Sequence, residues 1–207
     1  MSAPLRVWLV RHGESAANAG LPSRTHDSVA LTERGQAQAQ AVAQRVAEPP
    51  ALLVVSPYLR AQQTAAPIAT RWPDTPRDTW PIQEFSYLDP ERCRDTTSEM
   101  RRPWAAAYWA RSDPHYIDGP GAESFAQFMQ RLMNFRTRLL ERARQGGGLV
   151  VAVGHGQFFR ACLWGEPRGY EASAAAMVNW RAAEMAHPMA NGEIIDWPLN
   201  SAPARNT

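Results

Sequence analysis

Two short apolar segments, far apart in the chain, each end at a histidine that is followed by glycine. Leu5–Val10 runs into Arg11–Gly13, and Leu149–Val153 runs into Gly154–Gly156. Apolar runs of this length are typical of strands that helices cover on both faces, and such strands form parallel sheets. Ligands of these sheets gather beyond the carboxyl ends of the strands, so we expect the two histidines to share one pocket.

The residues around the first histidine favour a phosphate ligand. Arg11 directly precedes His12 in a short glycine turn. An uncharged imidazole can attack a phosphorus atom, and a neighbouring guanidinium can hold phosphoryl oxygens with its planar fork. The sequence therefore predicts an anion site at this turn, to which His155 and the strand end before Arg60 also contribute.

Strand and helix patterns alternate through the first third of the chain. Leu52–Val55 has the pattern of a third buried strand. Before it, apolar residues recur at helical spacing after Leu31–Gly35, and Thr32 is the expected N-cap of that helix. This alternation predicts a parallel sheet with helices packed on its faces.

The next segments are predicted to be one helix and one irregular insertion. Ser56–Pro57 places a capping hydroxyl before a proline, which predicts a helix from there to about Ala69 with Arg60 in its first turn. From 72 to 121 prolines, tryptophans and charges interrupt any pattern, except for a short helix around Arg102–Arg111. We interpret this stretch as a lid inserted over the site.

The last third returns to regular patterns and completes the expected architecture. The sequence predicts helices at Ser124–Arg144, Gln157–Trp164 and Ala172–Met185. A turn at Asn191–Gly192 is predicted to lead into a final strand at Glu193–Trp197. The predicted fold class is α/β: a single domain over residues 1–207, built as a three-layer α/β/α sandwich with a mainly parallel sheet.

Composition narrows the classes of partner. Lysine plus arginine total 22 against 20 acidic residues, a formal charge of +2, so neither nucleic acid nor a membrane is an expected partner. Cys93 and Cys162 lie outside any CxxC pattern, which predicts no disulfide framework and a reducing, cytoplasmic location. The histidines lack metal-ligand spacing, so no metal is expected, and the oligomeric state stays open.

The chain resembles the histidine phosphatase superfamily, the phosphoglycerate-mutase-like group, over roughly residues 5–163. Five elements in family order carry the resemblance, and they are Arg11-His12-Gly13, Asn18, Leu31–Gly35, Ser56–Thr64 and His155. An isolated Arg-His-Gly tripeptide would arise often by chance, whereas five ordered matches are specific. The resemblance implies the phosphoglycerate-mutase-like fold and a metal-independent, cofactor-free phosphatase.

The resemblance also implies a role for each matched position. His12 would be the nucleophile that forms a phosphohistidine. The phosphoryl oxygens would be bound by Arg11, Arg60, His155, Asn18 and the backbone at Gly156. Glu84, which follows the strand after the arginine-bearing helix, would protonate the leaving oxygen and later activate water.

Several assignments have alternatives that the sequence does not decide. Phosphoglycerate mutase activity and a silent phospholigand-binding module are the competing functions, and the substrate could be a small phosphorylated metabolite or a phosphoprotein. Glu84 competes with Asp78, Asp89 and Glu91 for the role of the acid. Glu14 is expected to support a helix start, whereas the role of Glu123 and any substrate contacts of Arg24, His26, Arg101 and Arg102 stay open.

Overall fold

The computed structural model describes residues 4–22 and 25–199. The strands are β1 Leu5–Arg11, β2 Leu52–Val55, β3 Arg77–Thr79, β4 Gly148–Gly154 and β5 Ile194–Trp197. The helices are α1 Glu33–Arg45, α2 Leu59–Arg71, α3 Ser98–Arg111, α4 Phe125–Gln145, α5 Gly156–Gly165 and α6 Ala174–Ala186, with a 3-10 turn at Glu166–Arg168. No helix within these residues is both long enough and apolar enough to traverse a bilayer.

The five strands form one sheet in the order β3-β2-β4-β1-β5. Strands β1 to β4 pair in parallel, and only β5 runs antiparallel, against β1. The prediction of an α/β fold with a mainly parallel sheet is therefore confirmed, as is a final strand after Asn191. β1 and β4 lie side by side with Arg11 opposite Gly154, so their carboxyl ends deliver His12 and His155 to the same edge.

Successive side chains along each strand point to opposite faces of the sheet, so the core has two layers, one on each face. Val150 and Ala152 face a large cluster that includes Phe128 and Leu132 of α4 together with residues of α5 and α6. The alternate residues of β4, such as Val151, face a second cluster with α1 and α2. Helices thus cover both faces of the sheet, which explains why these strands are apolar without alternation.

The helix that carries Arg60 begins later than the sequence predicts. Ser56 is not its N-cap: α2 starts at Leu59, and Tyr58 precedes it without a side-chain capping bond. The backbone N–H of Ser56 still donates to the carbonyl of Val153 at 3.0 Å, so Ser56 remains part of the strand ladder. Its hydroxyl is therefore free to lie 2.9 Å from Nε2 of His155, and Arg60 is in the first turn as predicted.

The stretch 72–121, interpreted as a lid, contains one strand of the sheet and one helix. β3 lies within it as an edge strand, and α3 begins at Ser98 with Thr97 as its N-cap, four residues before the predicted start. Beyond β3 the segment packs against α4, where the ring of Phe85 stacks on Phe128 with centroids 4.3 Å apart. The part that adjoins the site is therefore anchored by an aromatic cluster, while its action as a lid remains a prediction.

The turn after β1 is fixed by close contact with the start of α1. A Cβ atom on Gly13 would lie 2.3 Å from the carbonyl oxygen of Gly35, and one on Gly35 would lie 2.0 Å from the carbonyl oxygen of Glu14. Both distances are far below van der Waals contact, so only glycine is accommodated on either side. Thr32 caps α1 as predicted and also bonds to Glu14, which joins the turn to the helix.

Candidate active site

His12 occupies the turn directly after β1 and is 2% exposed. Its Nδ1 atom lies 2.6 Å from the carbonyl oxygen of Gly13, which can only accept a hydrogen bond. Nδ1 therefore carries the proton, and Nε2 keeps its lone pair. Burial and the nearby Arg60 and Arg11 lower the pKa of His12 to about 3, so the imidazole is neutral near neutral pH.

Arg60 joins the two histidines. Its Nε donates to Nε2 of His12 at 3.2 Å, and its Nη2 donates to Nδ1 of His155 at 3.2 Å. The remaining Nη1 donates to the carbonyl of His26, and the guanidinium lies over the Tyr58 ring at 4.9 Å. The donors of a single arginine are therefore aimed at the point between the imidazoles, where an anion would be held.

His155 ends β4, precedes the first turn of α5 and is fully buried. Because Arg60 can only donate, Nδ1 of His155 accepts, and Nε2–H points to the Ser56 hydroxyl. Burial, Arg60 and His12 lower its pKa well below the ordinary value. The ring centroids of His12 and His155 are 5.0 Å apart, so the structure brings these predicted residues together.

Arg11 reaches the same point from the end of β1. Its Nη1 donates to the carbonyl of Met189, while its Nε is buried and has no hydrogen-bond partner among the described residues. The side chain of Arg11 passes close to Gly156, where an added Cβ atom would lie 3.1 Å from Cδ of Arg11, so the glycine leaves room for this side chain. An unpartnered buried donor beside two imidazoles is a feature that an anionic ligand would satisfy.

Glu84 completes the cluster from the segment after β3. Its Oε2 lies 3.8 Å from Nδ1 of His155, and its Oε1 is buried without a hydrogen bond in the described structure. Burial raises the pKa of Glu84, although Arg60 and Arg11 oppose the shift. A raised pKa makes a carboxyl group easier to protonate, as a general acid must be, and such a group can later accept a proton as a general base.

The other carboxylates considered for the acid serve different contacts. Asp78 accepts from the indole of Trp80, Asp89 accepts from the backbone of Glu91, and Glu91 itself pairs with Arg94. The choice of Glu84 is therefore supported by its position, while its catalytic role remains a prediction.

Arg131 on α4, which the sequence did not single out, holds the backbone that carries Glu84. Its Nη1 donates to the carbonyls of Pro81 at 3.0 Å and Gln83 at 2.8 Å. Its other nitrogens form a two-bond ion pair with Glu123 at 2.8 and 2.7 Å. The open role of Glu123 is thus the orientation of Arg131, whereas the adjacent Ser124 caps α4 in a capping box with Gln127.

Asn18 lines the cavity that contains His12 and Arg60. Its Oδ1 accepts from the backbone N–H of Ser15 at 3.2 Å and from Nδ2 of Asn191 at 3.1 Å. The amide nitrogen of Asn18 donates no hydrogen bond among the described residues, and its role as a donor to a ligand remains a prediction. Asn191 also donates to the carbonyl of His12 at 3.0 Å, so a residue predicted only as part of a turn supports the nucleophile loop.

The remaining candidates divide between the wall of the reaction cavity and the surface. Arg101 and His26 both line the reaction cavity, where Nη1 of Arg101 lies 2.9 Å from Nε2 of His26. Arg102 is exposed, and Arg24 lies outside the described residues. Glu14 is not a helix-start residue, because no helix begins in its turn; its carboxylate instead accepts from the hydroxyl of Thr32, the N-cap of α1.

The buried neutral histidines predict a loss of stability in mild acid. His12 stays unprotonated in the folded chain down to about pH 3, whereas in the unfolded chain it binds a proton below about pH 6.5. Stability is therefore lost as pH falls through that window, by about 2 kcal/mol from His12 between pH 7.5 and 5. Urea unfolding of wild type and His12→Gln at both pH values measures the difference.

Glu84 changes the stability of the fold with pH in the opposite direction to His12. Its raised pKa means that the folded chain binds a proton more tightly there than the unfolded chain does. The readout is therefore the difference between wild type and His12→Gln in how the free energy of unfolding depends on pH, rather than the pH dependence of wild type alone. His115→Gln, at an exposed histidine, is the control and should keep the wild-type pH dependence. An equal dependence in His12→Gln would show that His12 is protonated alike in both states.

Two imidazoles, two guanidinium groups and a protonatable carboxyl meet at the edge of a parallel sheet, and together they form a site whose chemistry suits a phosphoryl group. Comparison with known proteins agrees: a family profile described as histidine phosphatase superfamily (branch 1) matches residues 7–185. The chain belongs to this superfamily.

Named relatives and solved structures place the chain among phosphatases of that family. The adenosylcobalamin/alpha-ribazole phosphatase of Salmonella typhi is 34% identical over 139 residues, which are 65% of this chain and 67% of the relative. The structure of mycobacterial glucosyl-3-phosphoglycerate phosphatase with VO3 has a TM-score of 0.70 at 25% identity, covering 93% of this chain and 90% of the other. A putative alpha-ribazole-5'-P phosphatase from Escherichia coli has a TM-score of 0.69 at 26% identity, covering 93% and 89%.

Proposed function

We propose that the protein hydrolyses phosphomonoesters through a phosphohistidine on Nε2 of His12. The observation that carries the proposal is the state of that atom. Nδ1 is committed to the carbonyl of Gly13, the pKa of about 3 keeps the ring neutral, and Arg60 lies 3.2 Å from Nε2. A phosphoryl group between the imidazoles would take over the donors of Arg60 and leave the lone pair of Nε2 free to attack phosphorus.

In the first half of the reaction, Nε2 of His12 forms a bond to phosphorus while the bond from phosphorus to the ester oxygen breaks. The proton of Glu84 passes to that oxygen, which leaves as an alcohol. The developing charge on the phosphoryl oxygens is neutralised by Arg11 and Arg60, beside the neutral ring of His155. The unpartnered Nε of Arg11 supplies one of these donors.

In the second half, the Glu84 carboxylate accepts a proton from water as the water oxygen attacks phosphorus. The bond between Nε2 and phosphorus breaks, His12 returns to its neutral form, and phosphate leaves. The same carboxyl thus serves as acid and then as base, and burial, which raises its pKa, favours the protonated form that the first half needs.

The cavities favour a small phosphorylated metabolite as substrate. The reaction cavity has a volume of about 170 Å³, and neighbouring cavities of about 230 and 330 Å³ share Phe85 with it. The relatives are named for alpha-ribazole and glucosyl-3-phosphoglycerate, which are small molecules. A cytoplasmic location is proposed with it, supported by the two buried, unpaired cysteines.

The test is hydrolysis of p-nitrophenyl phosphate by the purified protein in EDTA. We expect turnover without added metal, and quenching in base should trap phosphate that is labile in acid but stable in alkali, as expected of phosphohistidine. One nitrogen each of His12 and His155 and one oxygen of Glu84 lie within 4.8 Å of one another, a spacing that could also hold a metal ion. EDTA removes free metal and so separates metal-independent turnover from turnover that needs a metal at this position. Turnover that requires metal, or that leaves no acid-labile phosphate, would contradict the mechanism.

Mutase activity and silent binding are separated by the same preparation. A mutase would interconvert 2- and 3-phosphoglycerate faster than it releases phosphate. A silent module would bind phosphate esters without releasing any. Either outcome would contradict the proposed hydrolysis and assign the site the other function.

A further inference from the structure

A second cavity lies on the other side of Glu84 from His12. It has a volume of about 330 Å³ and shares Glu84 and Phe85 with the reaction cavity. Arg11 borders it, and α5 contributes Gln157 and Arg160. Because Glu84 would protonate the leaving oxygen, this cavity adjoins the place where the rest of a substrate begins.

Arg160 is the cation of this cavity that has no partner. It is half-buried, lies one helical turn after Gly156, and forms no hydrogen bond or ion pair within residues 4–22 and 25–199. Arg181, which α6 contributes to the same cavity, pairs with Glu184 at 2.5 Å and lies over the Trp109 ring at 5.1 Å. The charge of Arg181 is therefore compensated by the protein, whereas that of Arg160 is not.

The balance of charge in the cavity favours an anion. Glu184 is neutralised by Arg181, and burial raises the pKa of Glu84, which disfavours its charged form. A bound carboxylate or phosphate would give the guanidinium of Arg160 an ion-pair partner. The planar fork of Arg160 can bind either group through two parallel hydrogen bonds, and the Gln157 amide lies in the same wall.

We propose that this cavity is a second anion subsite, and that the substrate is a phosphomonoester bearing another acidic group that Arg160 binds. The inference rests on the proposed phosphatase function and deepens it by naming a substrate class. The phosphoryl group would lie between His12 and His155, and the remainder would extend past Glu84 to Arg160.

The test compares matched substrates that differ only in the acidic group. 3-Phosphoglycerate is compared with glycerol 3-phosphate, and 1,3-propanediol bisphosphate with 1,3-propanediol monophosphate. We expect wild type to prefer the acidic member of at least one pair by about tenfold or more in kcat/KM, as for one charged hydrogen bond. Arg160→Met should bring that preference close to one, mainly by raising KM, and Arg160→Lys should restore part of it.

The lid arginines provide the control and the competing explanation. Arg102→Met, at an exposed arginine, should keep the wild-type preference. If Arg101→Met removes the preference and Arg160→Met does not, the acidic group binds on the His26 side and the inference is wrong. A wild type that hydrolyses both members equally would overturn this inference alone, whereas one that hydrolyses no phosphate ester would overturn the proposed function with it.

Discussion

Replacing His12 with glutamine is expected to lower kcat for p-nitrophenyl phosphate by at least about a thousandfold, because the atom that attacks phosphorus is lost. Glutamine keeps comparable bulk and polarity in the turn. The loss should therefore appear in kcat while the variant still folds. Steady-state kinetics of both proteins, with thermal unfolding as a check on folding, measures the effect.

The control for this variant is His115→Gln, an exposed histidine outside the site, which should keep wild-type kinetics. Quenched mixtures with radiolabelled substrate should yield labelled His12 in wild type and none in His12→Gln. Turnover that survives in His12→Gln, or a label found on another histidine, would mean that His12 is not the nucleophile.

Glu84→Gln is expected to lower steady-state turnover by about a hundredfold to ten-thousandfold, the usual contribution of a general acid and base. The two half-reactions should respond differently. p-Nitrophenolate leaves readily without a proton, so formation of the phosphoenzyme is less affected than its hydrolysis, which needs a base. We therefore expect a burst of p-nitrophenol that approaches the amount of enzyme, followed by a slow steady rate.

An alkyl phosphate provides the complementary measurement, because its leaving oxygen needs the proton that glutamine cannot supply. With such a substrate the variant should lose the first step as well and accumulate no phosphoenzyme. Glu91→Gln, an exposed carboxylate in the same segment, is the control and should behave as wild type. A variant that turns over alkyl phosphates at the wild-type rate would assign the acid to another group.

The sequence predicts the residues that strands and helix starts position. Because β1 and β4 are neighbouring parallel strands, the residues that follow them must meet, and the structure brings His12 and His155 together. Arg60 joins them because it lies in the first turn of α2, even though that helix begins later than predicted. The arrangement depends on topology more than on the exact helix boundary.

What the sequence could not predict depends on packing between remote segments. Arg131 lies in the middle of an amphipathic helix, where an arginine ordinarily faces solvent, and nothing local indicates that it binds the carbonyls before Glu84. The sequence pattern around Asn191 predicts only a turn, so nothing in it indicates that the side chain donates to the carbonyl of His12. Ser56 had the pattern of a cap, and only the continued strand ladder assigns its hydroxyl to His155.

The contact between Gly13 and Gly35 limits how this chain can acquire new activities. A methyl group on either glycine would collide with the backbone opposite, so the orientation of the reacting imidazole cannot be adjusted by small changes nearby. Diversification of substrate range is thereby confined to walls remote from that junction, on α5, α6 and residues 84–121. Libraries randomised there should retain chemistry and alter selectivity, whereas libraries at the junction should mostly yield inactive protein.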